Sequence, residues 1–280
     1  MGPFPDRPRH HREARVGHPS RLTVLGSGSA LPLPERQSSC FLLEAAGRAL
    51  LLDLGPGALQ RAAAAGCSLE RLDGVLITHV HPDHCADLVA LQFALRSPML
   101  RRERGPLQVW GHADVALLVS RLRNAWPRWL AADPERWQLH SIGPGLLELG
   151  RAGEASAPDL RCEAFRIAHH RSSLGYRLTL PDGFVLALSG DATEGAELAA
   201  LARGADLLIL EAAGPDAQPI DGHLTPRRAG KLAAETAVQH LLLTHFYPPT
   251  LAEPIEVRVR ETFEGRLSLA HDGLVLPLSR

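Results

Sequence analysis

The chain has 280 residues, 45% hydrophobic and 22% charged, with a net charge of −1 and a sequence pI near 6.9, which permits one large domain or two ordinary ones and excludes a global basic field that would gather nucleic acid. No stretch approaches the roughly 18 apolar residues of a membrane helix, and the first residues carry Pro, Arg and His where a signal peptide has an apolar region. The cysteines Cys40, Cys67, Cys85 and Cys162 form no C-x-x-C pair, so a cytoplasmic protein with reduced thiols and no membrane association is expected.

Residues 1–20 are rich in Pro, Arg and His, including His10, His11 and His18, and read as a flexible arm. Residues 21–280 read as one domain. Its first strand, 22–25, runs into Gly26-Ser-Gly-Ser-Ala30. A dinucleotide-binding loop needs a helix at those glycines, and Pro32 and Pro34 forbid one. A tight turn bordering an active-site floor is the better reading. Strands over 40–44 and 50–54 flank a turn at Ala46-Gly47-Arg48, and the second carries Asp53 at its end, where a carboxylate can orient a metal-binding histidine. A helix over 58–65 stops at Gly66, and a strand follows over 74–78.

The densest chemistry comes next, in Thr78-His79-Val80-His81-Pro82-Asp83-His84. Neutral imidazole and carboxylate are ligands that zinc, manganese and iron accept. His79 and His81 stand two apart on an extended segment and so face one side, while Asp83 and His84 occupy the turn beyond. Cys85 reads as a buried thiol beside this motif. A helical segment over 86–96 leads to Arg96, Arg101, Arg102 and Arg104, which read as a solvated helix end or, more sharply, a phosphate-steering rim. A strand over 107–111 and an amphipathic helix over 114–125 precede Trp126, Trp129 and Trp137, a cluster suited to packing, a substrate wall or a subunit contact.

In the second half, apolar runs repeatedly stop at a polar residue of the same type. The strand over 161–168 ends at His169-His170, the run 184–189 at Gly190-Asp191, and the run 241–244 at His245. Strands of one sheet that deliver His or Asp at the same end converge on one site.

These residues resemble the metallo-β-lactamase fold, and within it the ribonuclease Z-like phosphodiesterases. The resemblance covers residues 22 to about 278. It rests on Leu25-Gly-Ser-Gly-Ser, Asp53-Leu-Gly-Pro-Gly, the motif 78–84, His169 with Leu174-Gly-Tyr-Arg177, Ser189-Gly-Asp191, Asp206-Leu-Leu-Ile-Leu-Glu211, His223-Leu-Thr225 and Leu243-Thr-His245. It implies an α/β architecture, a four-layer αβ/βα sandwich, holding two divalent ions, commonly zinc, with manganese or iron as alternatives. His79, His81 and His169 would hold the first ion, Asp83, His84 and His245 the second, and Asp191 would bridge them. Spacing to Gly175-Tyr176 favours His169 over His170. His223 would protonate the leaving group with Glu211 fixing its tautomer, and Asp83 would assist as a base.

Such an enzyme hydrolyses phosphodiesters, because two ions activate water near neutral pH and offset phosphoryl charge during in-line attack. Bacterial ribonucleases Z carry a long tRNA-gripping arm between the Gly-Tyr-Arg and Gly-Asp motifs. Here residues 178–189 form only a hairpin with a Pro-Asp-Gly turn. A small or cyclic phosphodiester is therefore expected as substrate, and tRNA is disfavoured as a partner. Hydrolysis of a lactone, thioester or sulfate ester and ribonuclease Z-type tRNA processing are the alternatives. A homodimer is also expected from the resemblance.

Overall fold

The computed structural model describes residues 19–149 and 160–280, so the arm through residue 18, with His10, His11 and His18, lies outside the described residues. The first half runs β1 (Arg21–Gly26), β2 (Cys40–Ala45), β3 (Arg48–Leu52), α1 (Ala58–Ala64), β4 (Gly74–Leu76), α2 (Pro82–Cys85), α3 (Leu88–Leu95), β5 (Leu107–Gly111), α4 (Ala113–Ala125) and β6 (Trp137–Ser141). The second half runs β7 (Gly145–Leu147), β8 (Arg161–Arg166), β9 (Leu174–Thr179), β10 (Val185–Leu188), α5 (Ala196–Ala202), β11 (Leu207–Glu211), α6 (Pro226–Glu235), β12 (His240–Thr244), α7 (Pro248–Leu251), α8 (Ile255–Arg260), β13 (Arg266–Leu269) and β14 (Val275–Pro277).

Two seven-stranded sheets result, ordered β14-β1-β2-β3-β4-β5-β6 and β13-β12-β11-β10-β9-β8-β7. In each, antiparallel hairpins occupy one side and parallel strands the other, with β3 to β6 and β10 to β13 parallel. The parallel strands are apolar on both faces because both are covered, as their fully buried runs in β11 and β12 show. Between the sheets lies one core drawn from both, including Phe41, Leu50 and Leu76 facing Tyr176, Ile209 and Leu242. The helices α1, α3 and α4 cover the outer face of the first sheet, and α5, α6 and α8 that of the second. This is the expected four-layer sandwich.

Local chemistry explains the boundaries. The β2–β3 turn places Ala46 and Gly47 at φ 51° and 70°, the two left-handed positions a tight hairpin needs. The strand expected to reach residue 54 stops at Leu52, since Asp53 takes φ 63° and leaves the ladder. Similarly β4 stops at Leu76, and α2 puts Asp83 and His84 on a helical turn begun by Pro82. The β9–β10 hairpin turns at Gly183, φ 83°, with Asp182 accepting from the Phe184 amide at 2.9 Å.

The arginine and tryptophan segments each divide, with Arg96 and Arg101 exposed and Arg102 and Arg104 tied to the protein. Arg102 donates to the carbonyls of Leu69, Leu72 and Gly105, and Arg104 pairs with Asp73 at 2.8 Å. These two cations tie the segment to the loop before β4, so they are neither a solvated helix end nor a substrate rim. Trp137 is buried in β6, whereas Trp126 and Trp129 are about half exposed. No helix among the described residues is long and apolar enough to cross a membrane.

Candidate metal centre and catalytic site

The polar residues at the carboxyl ends of β3, β4, β8, β10, β11 and β12 meet at one edge where the two sheets adjoin. Three ring nitrogens form one group. His169 Nε2 lies 3.3 Å from His81 Nδ1, and with His79 and Asp191 their ligand atoms all fall within 4.8 Å of one another. A second group joins Asp83, His84 and His245 under the same limit, with His84 Nε2 3.2 Å from His245 Nε2 and Asp83 Oδ2 3.2 Å from His245 Nε2. Asp191 stands between them. Its Oδ2 is 3.7 Å from both His79 Nε2 and His169 Nε2, while its Oδ1 is 3.1 Å from His84 Nε2 and 3.4 Å from His245 Nε2.

The far sides of three of the rings are tethered. His84 Nδ1 donates to Asp53 Oδ2 at 2.7 Å. His169 Nδ1 donates to the Gly222 carbonyl at 2.8 Å. His79 Nδ1 sits 3.0 Å from Thr78 Oγ1, which itself donates to Asp53. In neutral rings these bonds place the proton on Nδ1 and leave the Nε2 lone pair aimed into the cluster. Asp53 also takes the Thr78 amide at 2.7 Å, so one buried carboxylate sets two rings. Its left-handed backbone is one Asp tolerates better than most residues. His245 shares that conformation at φ 62°, and its amide is held by the Ser27 carbonyl at 3.1 Å. The Gly-Ser turn thus borders the site, as its prolines implied.

This arrangement fits divalent cations. His79 Nε2 and Asp191 Oδ1 are buried without a hydrogen-bond partner, a costly state for polar atoms that a cation would relieve. Burial, and then the His84 charge, push His79 well below the ordinary imidazole pKa. Burial, then His169, also lowers the pKa of His81. Burial opposes ionisation of Asp191 and Asp83, but the facing histidines outweigh it and hold both carboxylates below their usual range. For His84, burial is outweighed by Asp191 and Asp53, which raise its pKa well above normal. The field that favours a proton at that nitrogen also favours a metal cation.

The remaining expected residues fall in place around the cluster. His170 holds Ser172 Oγ at 2.7 Å from its Nδ1 and is in neither ligand group, so His169 is the adjacent histidine that the structure brings in. Cys85 directs its sulfur to the His81 carbonyl at 3.3 Å, burial pushes its thiol up to about 12, and it belongs to neither group of ligand atoms. His223 Nδ1 lies 2.8 Å from Glu211 Oε1, and one ligand atom each of Asp191, His223 and His245 falls within 4.8 Å of the others. Glu211 is buried and also accepts from the amides of Ala192, Ala213 and Leu224. Burial opposes charge on His223, but the Glu211 hydrogen bond and charge prevail and raise its pKa. Sequence reasoning did not find Thr78 Oγ1, the Ser27 and Gly222 carbonyls, or Tyr247 beside His245. Backbone acceptors leave no side-chain signature, and Tyr247 belongs to no spacing pattern.

A cluster of histidine and aspartate at the adjoining edges of an αβ/βα sandwich defines a class of metal-binding hydrolases. Residues 48–246 match the beta-lactamase superfamily domain, and the chain belongs to this family, in its ribonuclease Z-like branch. It is 30% identical over 271 residues to a ribonuclease Z of Mycobacterium marinum, covering 90% of this chain and 96% of that protein. Its fold is similar to that of YhfI, a metallo-β-lactamase fold protein from Bacillus subtilis, with TM-score 0.75, 22% identity and coverage of 92% and 98%. A diphosphatase from the PhnP family is also similar in fold, with TM-score 0.67, 19% identity and coverage of 93% and 98%.

Proposed function

We propose that the chain is a dinuclear metal-dependent phosphodiesterase acting on small or cyclic phosphodiesters. In this reading His79, His81 and His169 hold one divalent ion, Asp83, His84 and His245 a second, and Asp191 spans both, with zinc the expected metal. Such ions supply, when bound, activation of water near neutral pH and neutralisation of phosphoryl charge. The observation that carries the reading is the His223–Glu211 pair beside the cluster, at 2.8 Å. A departing alkoxide needs a proton. With Nδ1 fixed on Glu211, His223 Nε2 is the atom left to donate it. A lactonase, whose leaving group stays tethered, has less need of this donor. Asp83 assists at the nucleophile through the oxygen not directed at His245.

The short β9–β10 connection, with no arm between the strands, supports a small substrate. A second reading, trimming of precursor tRNA, is favoured by the likeness to the Mycobacterium marinum ribonuclease Z along nearly its whole length. Comparative turnover with zinc or manganese decides between them, using bis(p-nitrophenyl) phosphate, 2′,3′-cyclic nucleotides, a homoserine lactone and a precursor tRNA. The proposal expects turnover of the first two. Turnover of the lactone alone would sink it, and efficient precursor trimming would favour the second reading.

A further inference from the structure

The site has one aromatic residue that the metal cluster and the acid pair do not use. Tyr247 follows His245 by two positions and precedes Pro248, the first residue of α7. Its ring centroid is 6.1 Å from that of His245 and 6.3 Å from that of His223, at interplanar angles of 78° and 71°. The two histidine rings are nearly parallel, at 17° and 5.9 Å, so the tyrosine ring stands across their ends and spans both. It is only partly buried, and its hydroxyl makes no hydrogen bond to a described residue. The backbone beneath it is fixed, because the Tyr247 carbonyl accepts from the amides of Thr250 and Leu251. A rigid ring with a free donor at the mouth of an anion-processing site is arranged to meet a ligand. A phenol is protonated near neutral pH, so the hydroxyl meets an anionic oxygen as a donor.

We propose that Tyr247 contacts the substrate, its hydroxyl donating a hydrogen bond to a non-bridging phosphoryl oxygen on the side where His223 meets the leaving group. The inference rests on the phosphodiesterase reading, since it assigns the oxygen that Tyr247 recognises. It also accounts for the ring's position, which packing alone does not require of a partly exposed side chain. A hydrogen bond to a charged oxygen in such a site changes rates by about 10- to 100-fold.

The test is Tyr247→Phe, which keeps the ring and removes only the hydroxyl, assayed in the metal-loaded enzyme. Metal content and thermal midpoint are expected to match the wild type, with kcat/KM on bis(p-nitrophenyl) phosphate about 10-fold or more lower. The inhibition constant of inorganic phosphate is expected to rise about 10-fold with it. Unchanged kcat/KM and unchanged phosphate affinity would overturn the inference while leaving the phosphodiesterase reading intact. A wild type inert towards every phosphodiester would instead sink that reading. In that case phosphate binding by direct titration decides the tyrosine's role, with weaker binding in Tyr247→Phe sustaining an anion contact and equal binding refuting it.

Discussion

His223 and Asp53 show how a single polar contact sets the chemistry of this site. If His223 donates to the leaving group, its removal should matter in proportion to the leaving group's need for a proton. His223→Ala is expected to lower turnover of a 2′,3′-cyclic nucleotide by about 10² to 10⁴, and to slow a p-nitrophenyl ester much less, since that group departs as a stable anion. Equal losses on both substrates, or loss of metal from the variant, would assign His223 a structural role. Asp53 acts one step further back. Its Oδ2 accepts from His84 Nδ1 while Oδ1 takes the Thr78 amide. In Asp53→Asn the amide oxygen can serve Thr78 only by turning its NH₂ towards His84. That ring must then accept at Nδ1 and carry its proton on Nε2, the atom facing the cluster. A 10- to 100-fold loss of metal affinity is expected, read by competition with a chromogenic chelator. Unaltered affinity would show that His84 keeps its tautomer by other means.

At the scale of elements, the interior parallel strands β10, β11 and β12 are apolar runs that lead to a polar residue, and this was legible because the runs are unbroken before Asp191, Glu211 and His245. The same rule made β4 readable as the carrier of His79, whereas β8, antiparallel and alternating in burial, was readable from the His169-His170 pair beyond its end. The edge strands β6, β7, β13 and β14 escaped it, being short or half polar, as in Arg266–Leu269 with its exposed ends. The pairing of β14 is fixed by β1 at the far end of the chain, which no local pattern encodes. His223 was legible only through a family motif, as it lies on a loop and not at a strand end. One edge element carries a pH dependence. His240 opens β12, with Nε2 2.9 Å from Ser268 Oγ on β13. Burial, then the Arg266 charge, lower its pKa to about 4. Below the ordinary imidazole pKa the unfolded chain takes up a proton that the folded chain refuses until about pH 4. Stability should therefore fall as pH drops through that window and level off beneath it. As pH is lowered from 7 to 4, the denaturant midpoint of the wild type should fall relative to that of His240→Gln. A constant gap would mean His240 is not the group responsible.

Across the whole molecule, the candidate centre is also a cross-link. His79, His81, Asp83 and His84 come from the first half, and His169, Asp191 and His245 from the second, so ions held as proposed would join the two sheets at the edge where their shared core ends. Without them the seam is held by imidazole–carboxylate contacts that leave His79 Nε2 and Asp191 Oδ1 unpartnered. Metal binding and folding are then linked, and the size of the linkage follows from affinity alone. Free metal at 100 times its dissociation constant adds about 2.7 kcal/mol to the folded state for each site filled. For a chain of this size that corresponds to a rise of roughly 5–10 °C in the unfolding midpoint. Chelation should lower the midpoint by that amount, and titrated zinc or manganese should restore it in a concentration-dependent way. Hydrogen exchange should localise the loosening to residues 78–85 and the carboxyl ends of β8, β10 and β12, with the outer faces of both sheets protected as before. A midpoint indifferent to chelation, in protein shown by elemental analysis to be stripped, would refute the cross-link. Loosening spread evenly over both sheets would point instead to an effect of the metal on the unfolded chain, since ions bound only at the seam have no means of stabilising the distant helices directly.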